Sequence, residues 1–159
     1  MIGVSGSGKT TWVNAHKYVA CSTDFVIEEL ANIMGISYTQ AFDYIQNKKK
    51  FDYITVKFFE KIHDCILNNK DFVIDRTHLK RHIRISLINE LKSFAIEHGK
   101  NLEISAVSFE LPKNTIFERL KNREKKNGKS IPKEVILEQI NSFDIPTLDE
   151  GFTAIDRIT

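Results

Sequence analysis

The segment Gly3-Val4-Ser5-Gly6-Ser7-Gly8-Lys9-Thr10 constrains this chain more than any other. It satisfies the spacing G-x-x-x-x-G-K-[ST] at every fixed position. Glycines let successive backbone N–H groups turn inward onto an anion. A helix that follows adds its positive N-terminal end to the same place. Lys9 is long enough to reach the outer phosphates of a nucleotide, and the Thr10 hydroxyl suits Mg²⁺. We therefore expect Gly3, Ser5, Gly6, Ser7, Gly8, Lys9, Thr10 and Thr11 to form a phosphate cradle, a P-loop for ATP with Mg²⁺. Such a loop joins a strand to a helix. The apolar run Met1–Val4 before it and the unbroken Lys9–Tyr18 after it fit that requirement.

The rest of the chain repeats the alternation. Val19–Cys21 and Phe72–Ile74 are short apolar runs, the look of buried parallel strands. Between them Phe51, Ile54, Phe58, Ile62, Cys65 and Ile66 recur at helical spacing until Asn68-Asn69. Leu87, Ile88, Leu91, Phe94 and Ala95 mark another amphipathic helix, which Gly99 ends. Leu102–Phe109 alternates like a strand, Asn114–Leu120 is helical, Pro132 suits a helix start, and Phe152–Ile158 reads as a final strand. Strands alternating with helices predict an α/β fold with a mostly parallel sheet. A first strand of three or four residues is short, which raises the expectation of further residues upstream of Met1.

At 159 residues with 42% hydrophobic and 28% charged, one domain spanning 1–159 is expected. No apolar run reaches the roughly 20 residues of a membrane span, and no signal peptide is expected. Two cysteines, Cys21 and Cys65, make neither a disulfide scaffold nor a metal site. A cytoplasmic protein is the expectation. The net charge of +2 hides two basic runs. One holds Arg119, Lys121, Arg123, Lys125, Lys126, Lys129 and Lys133 against Glu124 alone; the other holds Arg76, Lys80, Arg81 and Arg84 with no acid. Such runs are ordinarily solvated helix faces, and gain interest beside a phosphate site.

Two carboxylates stand where chemistry needs them. Asp24 follows an apolar run and so emerges at the carboxyl edge of a parallel sheet, where it could take a proton from an attacking hydroxyl or cap the next helix. Asp75 closes Phe72-Val73-Ile74, a pattern that holds Mg²⁺ directly or through water. His78 and His82 are four apart but lack a third ligand, which argues against zinc. Cys21 reads as a small buried apolar residue.

Gly6–Trp12, Ser22-Thr23-Asp24, Val73–Leu79, the basic stretch Arg119–Lys129 closing on Ile131-Pro132, and Phe143–Phe152 together resemble the 5′-hydroxyl polynucleotide kinases. The likeness is to the P-loop kinase module of phage and animal polynucleotide kinase/phosphatase enzymes, and it covers essentially the whole chain. It implies a central, mostly parallel sheet flanked by helices on both faces, with a lid near 119–131. It further implies transfer of the γ-phosphate of ATP to the 5′-hydroxyl end of RNA or DNA. Asp24 would be the general base, Thr77 and Arg84 would bind substrate, and Thr10 and Asp75 would serve the metal. Arg123, with Arg119 or Lys126, would close on the transferring group. This chain departs from the family in carrying His78 where an asparagine is usual, and Ile27-Glu28 where some members place an arginine. No Asp-x-Asp-x-Thr phosphatase motif occurs. The other readings are a P-loop kinase of a nucleoside, nucleotide sugar or other alcohol, as zeta-type toxins are, and an ATP-binding module without catalysis.

Overall fold

The fold comes from a computed structural model, which describes residues 1–48, 50–127 and 131–159. Its elements run α1 (Lys9–Ala15), β1 (Val19–Cys21), α2 (Thr23–Met34), α3 (Tyr38–Asn47), α4 (Phe51–Leu67), β2 (Phe72–Ile74), α5 (Arg81–Glu97), β3 (Ala106–Phe109), α6 (Lys113–Asn127), α7 (Lys133–Asn141), a 3₁₀ turn (Leu148–Glu150) and β4 (Ile155–Ile158). They form two compact units, one made of residues 1–17 and 77–159 and the other of residues 18–76.

In the unit of residues 18–76, β1 and β2 pair in parallel, with Val19 opposite Phe72 and Cys21 opposite Ile74. The helical spacing read across α4 is a burial pattern: Ile54, Phe58, Ile62, Cys65 and Ile66 are all buried. Phe51 opens that helix and stays exposed. Cys21 and Cys65 are free, buried thiols. Burial first, and then the neighbouring Cys65, push the Cys21 thiol up to about 12, so it remains protonated and behaves as a small apolar residue. The Ser22 hydroxyl accepts the Asp24 N–H at 3.1 Å and caps α2. The cap is therefore Ser22, and the Asp24 carboxylate is not used for it.

In the other unit, β3 and β4 pair in parallel, Ala106 opposite Ile155 through Phe109 opposite Ile158. On the opposite side of β3, the Ile2 N–H donates to Val107 O at 2.9 Å and the Phe109 N–H to Ile2 O at 2.8 Å. The run before the glycine loop thus pairs through Ile2 alone, as an isolated parallel bridge to Ser108 rather than as a strand. Its next N–H, of Gly3, goes to Thr77 O at 3.0 Å, and the chain then turns into the loop. The two C-terminal strands are likewise shorter than the alternation predicted, starting at Ala106 and Ile155. The fold is α/β and its pairing is parallel throughout, with small sheets. A core of Val4, Ile116 and Ile136 ties the loop to α6 and α7, with Leu79, Phe117, Leu120 and Ile140 around it. The expected lid falls on the end of α6 and on residues 128–130, which lie outside the described residues.

Candidate active site

The glycine loop has the shape its sequence requires. Gly6 and Gly8 have φ of +83° and +104°, a region that L side chains rarely adopt. Space restricts them as much as the torsions do. A Cβ on Gly6 would lie 2.8 Å from the Leu120 side chain, and one on Gly8 would lie 3.0 Å from the Arg119 guanidinium. The Lys9 ammonium folds back into the loop and donates to Gly3 O and Val4 O, each at 2.9 Å. It is buried there, a cation held at the mouth of a ring of backbone dipoles.

Two helices close on this loop. From α6, Arg119 Nη1 donates to Ser7 O at 2.7 Å, and Leu120 covers Gly6. Arg123 lies one turn beyond Arg119 on the same face. Its Nε is buried and has no hydrogen-bond partner among the described residues. An orphaned guanidinium donor suits an anion. Ser7 Oγ is the other buried side-chain atom of this kind. From α7, Gln139 Oε1 accepts the Ser5 N–H at 2.8 Å. Of the expected closing cations, then, Arg119 touches the loop directly and Arg123 stands next along the helix.

The carboxylates belong to the unit of residues 18–76. Because β1 and β2 are parallel, both end at one edge, and the Asp75 N–H donates to Cys21 O at 2.9 Å across it. Asp24 follows β1 in the first turn of α2, and Asp75 follows β2 directly. Their chain positions bring both to the same strand-end edge, as the parallel pattern predicts. The Tyr38 hydroxyl, from α3, donates to Asp24 Oδ1 at 3.0 Å. Burial and then the Asp24 charge push the Tyr38 phenol upward, so it stays a donor.

The second basic run reads differently in three dimensions. Arg84 sits among Ile88, Leu91 and Ala95 on the buried face of α5. Its Nε and Nη2 meet Glu150 Oε2 and Oε1 at 2.6 and 2.7 Å, and its Nη1 donates to His78 O and Leu79 O. The side chains of this pair are 2% and 0% exposed. Arg84 is a structural ion pair where the sequence led us to expect a substrate ligand: four of its five N–H groups are engaged and its side chain is 2% exposed. Arg81 pairs with Asp149 at 2.8 Å, and Lys80 lies 4.0 Å from Asp144. The segment Phe143–Phe152 thus supplies an acid for each of the three cations. The Arg81 side-chain bond comes first among the causes that hold the Asp149 carboxyl at about 2. Burial pushes Glu150 up, but hydrogen bonds from Arg84 and the Thr147 N–H outweigh it and leave the carboxyl below its ordinary value. Thr77 is half-buried, and its carbonyl takes the Gly3 N–H, so its position is fixed by the loop.

Gln139, Tyr38 and Glu150 escaped the sequence reading. Gln139 and Tyr38 belong to no motif. Arg84 did leave a signal, since residues 84, 88, 91 and 95 share one helical face. Among the described residues there is no cluster of three His, Cys, Asp or Glu side chains able to hold a metal, and no helix long and apolar enough to cross a membrane. Comparison with protein families matches residues 1–146 to the AAA domain. Comparison with curated proteins finds no match.

Proposed function

Since the chain belongs to the AAA domain family, a P-loop kinase-like family that includes polynucleotide kinases, we propose that it transfers the γ-phosphate of ATP to the 5′-hydroxyl end of RNA or DNA. The observation that carries the nucleotide half of this reading is the Gly3–Thr10 loop, with the Lys9 ammonium folded into it at 2.9 Å from two of its carbonyls. The acceptor half rests on the resemblance of Ser22–Asp24, Val73–Leu79 and Phe143–Phe152 to the 5′-hydroxyl kinases.

Phosphoryl transfer asks for positioning and charge neutralisation more than covalent chemistry. In this reading the backbone of Ser5–Lys9 orients the phosphates and Lys9 neutralises the outer ones. Thr10 and Asp75 are the groups that would hold Mg²⁺, which when bound supplies charge for the phosphate oxygens. Asp24 takes the proton of the attacking hydroxyl, and Tyr38 fixes the direction in which that carboxylate points. Thr77 lines the acceptor's position. Arg123 is the cation for the transferring group, and Arg119 anchors its helix to the loop. Arg84 has no part in it.

One observation favours a second reading, phosphorylation of a small alcohol. The basic run 76–84 was the best candidate for the extra phosphates of a nucleic acid, and Asp144, Asp149 and Glu150 neutralise most of it. The test is phosphorylation rate against acceptor length, from nucleoside through dinucleotide to longer 5′-hydroxyl oligomers, with a 5′-phosphorylated control and two salt concentrations. The polynucleotide reading expects the rate to climb with length and the affinity to fall with salt, at about −0.7 in log–log slope per phosphate held. A free nucleoside that serves as well as the oligomer, at both salts, moves the assignment to the small-molecule kinases.

A further inference from the structure

Gln139 is the one side chain of α7 that reaches the glycine loop with a hydrogen bond among the described residues. The contact is anchored. One turn earlier on the same face Ile136 is fully buried against Val4 and Ile116, and Ile140 packs on the same cluster. A backbone N–H only donates, so the Gln139 atom on Ser5 must be Oε1, which fixes the orientation of the whole amide. Its Nε2 is then held beside the loop with two N–H groups and no hydrogen-bond partner among the described residues. The same loop carries the buried Lys9 ammonium and is flanked by Arg119.

The geometry points to Gln139 as a ligand of the terminal phosphate: its Oε1 is spent on Ser5, and its Nε2 donates to a γ-phosphate oxygen, so that the site distinguishes a nucleoside triphosphate from a diphosphate. The lysine of a P-loop reaches the outer phosphates, and the Lys9 ammonium sits on Gly3 O and Val4 O, directly before Ser5. A donor placed there meets the end of the chain of phosphates. An amide suits this role better than a lysine would, since its acceptor locks onto the backbone while its donor faces the ligand. The inference rests on the nucleotide half of the proposed function.

Gln139→Glu is the direct test. It keeps the shape of the side chain and the acceptor for Ser5, and replaces the donor with a second anionic oxygen. Calorimetry with the whole chain would compare a non-hydrolysable ATP analogue with ADP for the parent, Gln139→Glu, Gln139→Ala and Lys9→Ala. Hydrogen bonds to charged groups are strong enough that triphosphate affinity should fall about tenfold or more in both Gln139 variants, with ADP affinity within about twofold of the parent. Equal loss for both nucleotides would reduce Gln139 to a support of the loop. Tighter binding in Gln139→Ala would make it a competitor of the nucleotide. Either result, or no change, overturns the inference while Lys9→Ala still abolishes binding. If Lys9→Ala binds both nucleotides normally, the nucleotide reading itself fails.

Discussion

Replacing Glu150 with Gln should unfold the unit of residues 1–17 and 77–159 at a markedly lower temperature. The change preserves the shape of the side chain, removes its charge and turns one acceptor oxygen into a donor. The guanidinium of Arg84 then stays buried, 2% exposed, with two charge-assisted bonds of 2.6 and 2.7 Å converted to weaker ones or lost. Removing one partner of a buried pair costs about 3–5 kcal/mol, because the other charge is left uncompensated. At roughly 2–4 °C per kcal/mol for a chain of this size, the midpoint should fall by about 6–20 °C. Trp12, the only tryptophan, belongs to the same unit, so its fluorescence follows the relevant transition. The double variant Arg84→Met with Glu150→Leu separates the pair from its parts. Replacing both charges by apolar groups is often neutral, so the double change should cost far less than the sum of the single ones. A loss of less than about 1 kcal/mol in Glu150→Gln, the range of exposed pairs, would refute the structural role. So would an Arg84→Met variant of normal stability that no longer binds oligonucleotides, since that is what a substrate arginine predicts.

Asp24→Asn should lower turnover by about 10²–10⁴-fold, the usual range for a lost general base, with nucleotide affinity nearly unchanged. Tyr38→Phe removes one hydrogen bond to that carboxylate, and should lower turnover by about two- to tenfold; a loss of nucleotide affinity instead would place both residues on the nucleotide. Acid should weaken the Arg81–Asp149 contact in a defined window. The folded carboxyl of Asp149 titrates at about 2 and the ordinary value is 3.8, so its contribution is present above that value and fades as pH falls toward 2. Thermal midpoints measured from pH 5 to pH 2 should therefore decline less steeply for Asp149→Asn than for the parent.

Local rules carried much of the fold from the sequence. The loop follows from the spacing of Gly3, Gly8, Lys9 and Thr10, α4 from its apolar spacing, and β1 and β2 from short apolar runs between breakers. Strand ends were overdrawn at Met1–Val4, Leu102–Phe109 and Phe152–Ile158, because alternation reports a buried face and pairing depends on what lies alongside. Ile2 has β3 beside it for one residue only before the chain turns.

The errors about the site share one cause. A charge run shows the sign of side chains and not their partners, and the partners of residues 80–84 lie more than sixty positions away, in Asp144, Asp149 and Glu150. Those acids fall in the segment Phe143–Phe152, where the likeness to the 5′-hydroxyl kinases is closest. In three dimensions that segment neutralises α5, caps its own 3₁₀ turn through Thr147 and Glu150, and holds Lys92 of α5 through Gly151 O just ahead of β4. A segment that resembles the 5′-hydroxyl kinases is, in this chain, a clasp on a basic helix. In the proposed reaction the acceptor then depends on Asp24 and Thr77 rather than on this helix.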